Sequence, residues 1–211
     1  MLSDAEQKSG RFHIIEALID GSKTPVPVGL VGFHVFVANG GQGGWGTFAQ
    51  VDNAPVKNPA TSGNFNFFNP KCTVPGTTNP CPPNVKDANP GQVVQITPDD
   101  STAERLNTYM HTLLKNYDPN TPWQYYNLVD VQWAKPVEIS KLSSPLSVPL
   151  PDGNPNRQIV VNAVLETFVQ SDGIGCFSCH TYATIAGSGG IKPPYAASYS
   201  FVFGRATTPQ R

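Results

Sequence analysis

The sequence predicts a mainly β fold of the α+β kind: one antiparallel, sandwich-like domain over residues 1–211, with about two helices and long loops. Three observations lead there. Nineteen glycines and 21 prolines make 40 of the 211 residues, and so many helix and strand breakers leave room only for short elements. Residues Val26–Val37 are rich in Val and Phe, as strands are. Only two segments repeat apolar residues at helical spacing. Hydrophobic content is 39% and charged content 14%, apolar enough for a real core in a chain of this length. A net charge of -1 supplies no field to attract nucleic acid or an anionic membrane. No apolar run approaches the length of a membrane span.

Taken in order, Phe12–Ile19 is apolar and fits a strand or a helix equally. Val26–Val37 reads as a strand entered through Pro25 and Pro27. The loop Asn39–Gly44 lacks the spacing and following helix of a phosphate-binding turn. Trp45–Val51 then resumes a strand, making a hairpin. Residues 53–98 are rich in Pro, Asn and Gly around Phe65, Phe67 and Phe68. A structureless loop of that length is rare in a compact domain, so an ordered excursion pinned by aromatics is expected.

Asp99 or Ser101 caps a helix ending near Asn116, with Ala103, Leu106, Met110, Leu113 and Leu114 on its inner face. Trp123–Trp133 is aromatic and extended, and Pro136–Pro155 is a proline-rich loop. Val160, Val161, Val164, Leu165, Phe168 and Val169 predict a second helix, and Tyr199–Phe203 alternates as a closing strand.

The densest chemistry lies in Cys176-Phe177-Ser178-Cys179-His180, which fits C-x-x-C-H, the pattern of c-type haem attachment. Two thiols at this spacing can add to the two vinyl groups of one porphyrin. The adjoining imidazole of His180 then serves as the proximal axial ligand. A redox dithiol or half a zinc site would share the Cys-x-x-Cys. The remaining cysteines, Cys72 and Cys81, have eight residues between them, which is not zinc-knuckle spacing. The preceding loop Ser171–Gly175 is not the strand-to-helix setting of a thioredoxin-type dithiol. One covalent haem c, held by the segment 171–186, is therefore expected.

Cys72 and Cys81 flank a turn-rich stretch and are expected to form a disulfide, which belongs to an oxidising compartment. Haem attachment points to the same place, so a periplasmic or extracellular protein is expected. The start Met1–Lys8 is polar and acidic, unlike a secretory signal; the expectation is that the signal has been removed.

Beyond the motif, several blocks are spread along the chain. They are Val28–His34, Trp45–Phe48, Val51–Pro55, Trp123–Tyr126, Gln132-Trp133, Asn162 with Leu165–Phe168, and Tyr199–Phe201 with Gly204–Ala206. In order and content the chain resembles a family of bacterial exported proteins described only as cytochrome c family proteins. The resemblance implies one c-type haem near the C-terminus of a domain larger than a small cytochrome. Two departures stand out: the family's extra N-terminal strand is missing before Phe12, and Gln50 replaces a frequent His, so no ligand role passes to it.

The ligand on the far side of the iron decides the role. An iron with both faces filled carries electrons, and one with an open face binds small molecules. Met110 sits on an apolar helical stripe, where a core methionine is the default. His111 lies one residue round, toward solvent. His34, inside an apolar strand, is the best candidate, with His13 and Met1 less supported. Arg205 is a candidate partner for a haem propionate, and Glu166 and Asp172 receive no catalytic role. The expectation is a monohaem electron carrier in preference to an enzyme, with redox partner proteins. The alternatives are a five-coordinate haem enzyme or gas or peroxide sensor, and an extracellular assembly-forming haem protein.

Overall fold

The computed structural model describes residues 2–19, 21–39, 42–54, 65–134, 160–170 and 175–176. The expected loop Pro136–Pro155, the closing strand Tyr199–Phe203, and Asp172, Cys179, His180 and Arg205 lie outside these residues. The chain gathers into two compact units. One comprises Met1–His34, Thr47–Asp130 and Val161–Asp172; the other comprises Val35–Gly46, Val131–Val160 and Gly173–Arg211. The fold mixes two α-helices with two small antiparallel sheets among the described residues.

Helix α1, Asp4–Lys8, opens the chain. Its signal is local: Ser3 and Glu6 form a reciprocal capping box, and the Ser3 bonds hold the Glu6 carboxyl below its ordinary pKa. Strand β1, Ile14–Ala17, pairs antiparallel with β2, Val26–Gly29, placing Ile14 opposite Gly29. The apolar run Val26–Val37 is thus two strands rather than the single one expected. The switch falls at Leu30-Val31. The Leu30 N–H donates to the His13 carbonyl at 2.9 Å, whereas the Val31 carbonyl accepts from Gln50 N–H at 3.0 Å. Gly32 follows, and a Cβ there would sit 2.9 Å from the Phe48 carbonyl oxygen.

Strands β3, Gly32–Asn39, β4, Gln42–Gln50, and β5, Tyr126–Ala134, form the second sheet in the order β3-β4-β5. The expected hairpin is present, but β4 begins at Gln42, three residues before Trp45.

Helix α2, Ser101–Tyr117, is capped by Asp100, whose carboxylate accepts from Thr102 N–H at 2.8 Å. The neighbouring Asp99, one of the two expected caps, instead accepts from the Gln95 amide. The inner face of α2 also departs from expectation. Ala103 and Asn107 are buried and His111 and Leu114 half-buried, while Leu106, Met110 and Leu113 are exposed. The cause is the edge of β5. Asn107 donates to the Leu128 carbonyl and accepts from the Leu128 N–H, both at 2.8 Å, and His111 Nε2 donates to the Tyr126 carbonyl at 3.1 Å. At Leu128 and Tyr126 the helix thus supplies partners to backbone groups that must not be left unsatisfied.

The helix expected over Val160–Val169 is absent. Only Thr167–Val169 forms a 3-10 turn. Asn162, fully buried, donates through Nδ2 to the Thr47 hydroxyl and the Phe48 carbonyl, both at 2.9 Å, and its Oδ1 accepts from Val164 N–H. A side chain committed to β4 on one side and to its own backbone on the other ties this stretch into a turn. Among the described residues the largest fully buried side chains are Gln50, Asn53, Asn162 and Thr47, so the centre of this region is a satisfied polar network rather than an aliphatic plug.

The expected ordered excursion is visible over 65–98. Cys72 and Cys81 are disulfide-bonded, with Cα atoms 5.4 Å apart. Aromatics do less of the pinning than expected, since Phe67 is exposed. Amides do more: Asn84 clasps Val94, donating to its carbonyl at 2.8 Å and accepting from its N–H at 3.0 Å. Gln92 accepts from Asn69 N–H at 2.6 Å.

Candidate functional site

Of the attachment motif, the structure describes Cys176, which is half-buried with Sγ 3.8 Å from the Val160 carbonyl oxygen. Cys179 and His180 lie outside the described residues. Cys176 belongs to the unit containing Gly173–Arg211, and His34 to the unit containing Met1–His34. Among the described residues no group of three or more His, Cys, Asp or Glu side chains is placed to hold a metal ion.

His34 stands on β3, whose alternation sends it to the face opposite Phe33. Its Nε2 lies 3.1 Å from Glu166 Oε1, both side chains part-buried. The contact is a close approach of ring nitrogen to carboxylate rather than an aligned hydrogen bond. The other carboxylate oxygen of Glu166 accepts from Asn162 N–H at 2.6 Å. Glu166, assigned no role from the sequence, thus joins the 162–166 turn to His34. No local sequence signal marks the link, because His34 and Glu166 are far apart along the chain. His34, Thr47, Phe48, Asn162 and Glu166 come from three separate sequence blocks and form one network.

The other ligand candidates take structural posts. His13 is exposed and stacks on Trp123, with ring centroids 5.0 Å apart. Its backbone N–H donates to the Tyr126 hydroxyl, which donates onward to the Leu30 carbonyl at 2.8 Å. Burial raises the Tyr126 pKa above its ordinary value against the opposing effect of the His13 bond. His111 faces β5 instead of solvent, and its bond to a carbonyl fixes the proton on Nε2. Met110 is 46% exposed, so it is not the core methionine its spacing suggested. It lines an apolar cavity of about 310 Å³ with Phe33, Phe48, Leu114, Trp123 and Leu128. Phe33 and Phe48 stack at 4.7 Å within this wall.

Gln50 is a latch. Its Oε1 accepts from Asp52 N–H at 2.7 Å and its Nε2 donates to Asp52 Oδ2 at 2.9 Å. Arg11 grips the same carboxylate with two nitrogens at 2.6 Å and lies 4.1 Å over the Tyr125 ring. Burial pushes the Asp52 pKa up, but the Arg11 and Gln50 bonds outweigh it and hold the carboxyl below its ordinary value. The Asp52 bond likewise raises Arg11.

No family model, curated protein or solved structure matches this chain. None of the described helices is long and apolar enough to cross a membrane.

Proposed function

We propose that this chain is a monohaem c-type cytochrome that transfers single electrons in the periplasm or outside the cell. The carrying observation is the C-x-x-C-H motif at Cys176, Cys179 and His180. Cys176 and Cys179 would hold one haem through thioether bonds, and His180 would bind its iron; the group supplies the reversible one-electron chemistry. The half-buried state of Cys176 supports the reading, because thioether formation needs a thiol that the porphyrin can reach. The Cys72–Cys81 disulfide suits the same oxidising compartment. A sandwich-like arrangement of the sheets and redox partner proteins belong to the same proposal. The test is the optical spectrum of the oxidised and reduced protein made in a host with haem-maturation machinery. Haem that survives denaturing extraction is the expected result; its absence overturns the reading.

One observation favours a second reading, a five-coordinate haem protein that binds a gas or peroxide. His34, the best candidate for the far face, has its Nε2 against Glu166. Ligation through that nitrogen would require the ring to leave the carboxylate. A high-spin ferric spectrum that shifts on adding cyanide would select this reading over the electron carrier.

A further inference from the structure

Leu106, Tyr109, Met110, Leu113 and Tyr117 recur at i, i+3, i+4, i+7 and i+11 along α2. That spacing gathers them into one stripe about 100° wide. All five are between 43% and 92% exposed, because the helix has turned Ala103, Asn107 and His111 toward β5 instead. No charged residue interrupts the stripe. The exposed parts of these side chains and of neighbouring Trp123 total roughly 600 Å² per copy, at about 200 Å² for a large side chain. That is the upper end of about 300–600 Å² for the largest apolar patch on a typical monomer, and such patches often mark interaction sites. The area reaches the range of about 600–1,000 Å² per partner found in specific interfaces.

We propose that the outer face of α2 is a self-association surface on which two copies pair antiparallel across a two-fold axis. The stripe is complementary to itself in one antiparallel register. Leu106 then meets Leu113 of the partner subunit, Tyr109 meets Met110 of the partner subunit, and Thr102 meets Tyr117 of the partner subunit. Each pairing occurs twice by symmetry, as an isologous interface requires. Antiparallel helices also set opposite dipole ends side by side. The chain's net charge of -1 leaves little repulsion between copies. A membrane surface is the poorer occupant. Over 99–118 the charges are Asp99, Asp100, Glu104 and Asp118 against Arg105 and Lys115, whereas helices that lie on anionic lipid carry a basic polar face.

The test is sedimentation velocity of the full chain across a concentration series up to about 0.1 mM, with far-UV circular dichroism to verify folding. The wild type is expected to show a monomer–dimer equilibrium. Leu106→Lys and Leu113→Glu, each alone, should weaken dimerisation at least roughly tenfold. The double variant L106K/L113E should regain it, because each new lysine faces a new glutamate only in the antiparallel register. A wild type that stays monomeric overturns the proposal, as does a dimer indifferent to both single variants. A folded double variant that remains monomeric overturns it too. Monomeric protein that floats with phosphatidylcholine vesicles and loses this in L113E assigns the stripe to lipid instead.

Discussion

Asn107 and Asn84 do the same job in two unlike regions. Each uses its amide as a surrogate strand, giving one bond to and taking one bond from a single residue's backbone: Leu128 for Asn107, Val94 for Asn84. Around Asn107 the setting is regular. A 17-residue helix lies along a strand edge, and His111 repeats the contact one turn later. Around Asn84 the setting is irregular. The segment is held by a disulfide, by the Gln92–Asn69 bond and by Asn84 itself, which stands at φ 57°. A regular element needs few pins because its own ladder fixes its backbone. A loop must satisfy each backbone group by name and gains from a covalent tie.

Breaking the regular side should cost most. Asn107→Ala orphans both backbone groups of Leu128 on the side that α2 covers, and we expect a loss of about 3 kcal/mol in urea unfolding. The irregular side is next. Replacing Cys72 and Cys81 together by alanine should cost roughly 2.5 kcal/mol, as the chain-entropy model gives for a loop of this length. Susceptibility to proteolysis should rise within 65–98 rather than within α2. Asn84→Gly keeps the backbone conformation but removes both bonds, and should cost about 1–2 kcal/mol. Equal losses for N107A and N84G would erase the distinction drawn here.

The smallest effect concerns the point from which the excursion hangs. Asp52 and Asn53 accept from Asn66 and Phe67 N–H through their carbonyls, and Arg11 clamps Asp52. The folded pKa of Asp52 lies below its unfolded value. Its stabilisation is therefore complete above the unfolded pKa and lost as pH falls through the lowered folded one. Both partners are partly exposed, with side-chain accessibilities of 37% and 27%, so the effect should stay under about 1 kcal/mol. Thermal melts below about pH 4 should show wild type converging on Asp52→Asn as acidity increases.

Much of this was legible along the chain. The span of α2, the hairpin from β3 into β4 and the pairing of Cys72 with Cys81 rest on signals carried by adjacent residues: periodicity, glycine placement and a turn-rich loop. The capping box of α1 was equally local, Ser3 and Glu6 three residues apart, although no helix was expected over Met1–Lys8. The link from His34 to Glu166 was not legible, because 131 intervening residues carry no periodic signal of that contact.

By itself the sequence determined the span of α2, the β3–β4 hairpin and the C-x-x-C-H spacing on which the haem proposal rests, since all are matters of spacing between near neighbours. Tertiary structure alone decided how each pattern was used. The apolar recurrence over Val160–Val169 suited a helix, but Asn162 found Thr47 and Phe48, and the chain turned instead. The apolar residues of α2 suited a core, but the β5 backbone at Leu128 and Tyr126 took Asn107 and His111. Burying a backbone N–H or carbonyl unpaired costs about 1–3 kcal/mol, comparable to what one large apolar side chain gains by burial. Where those two demands competed, hydrogen bonding chose the inner face of α2 and left Leu106 and Leu113 outside.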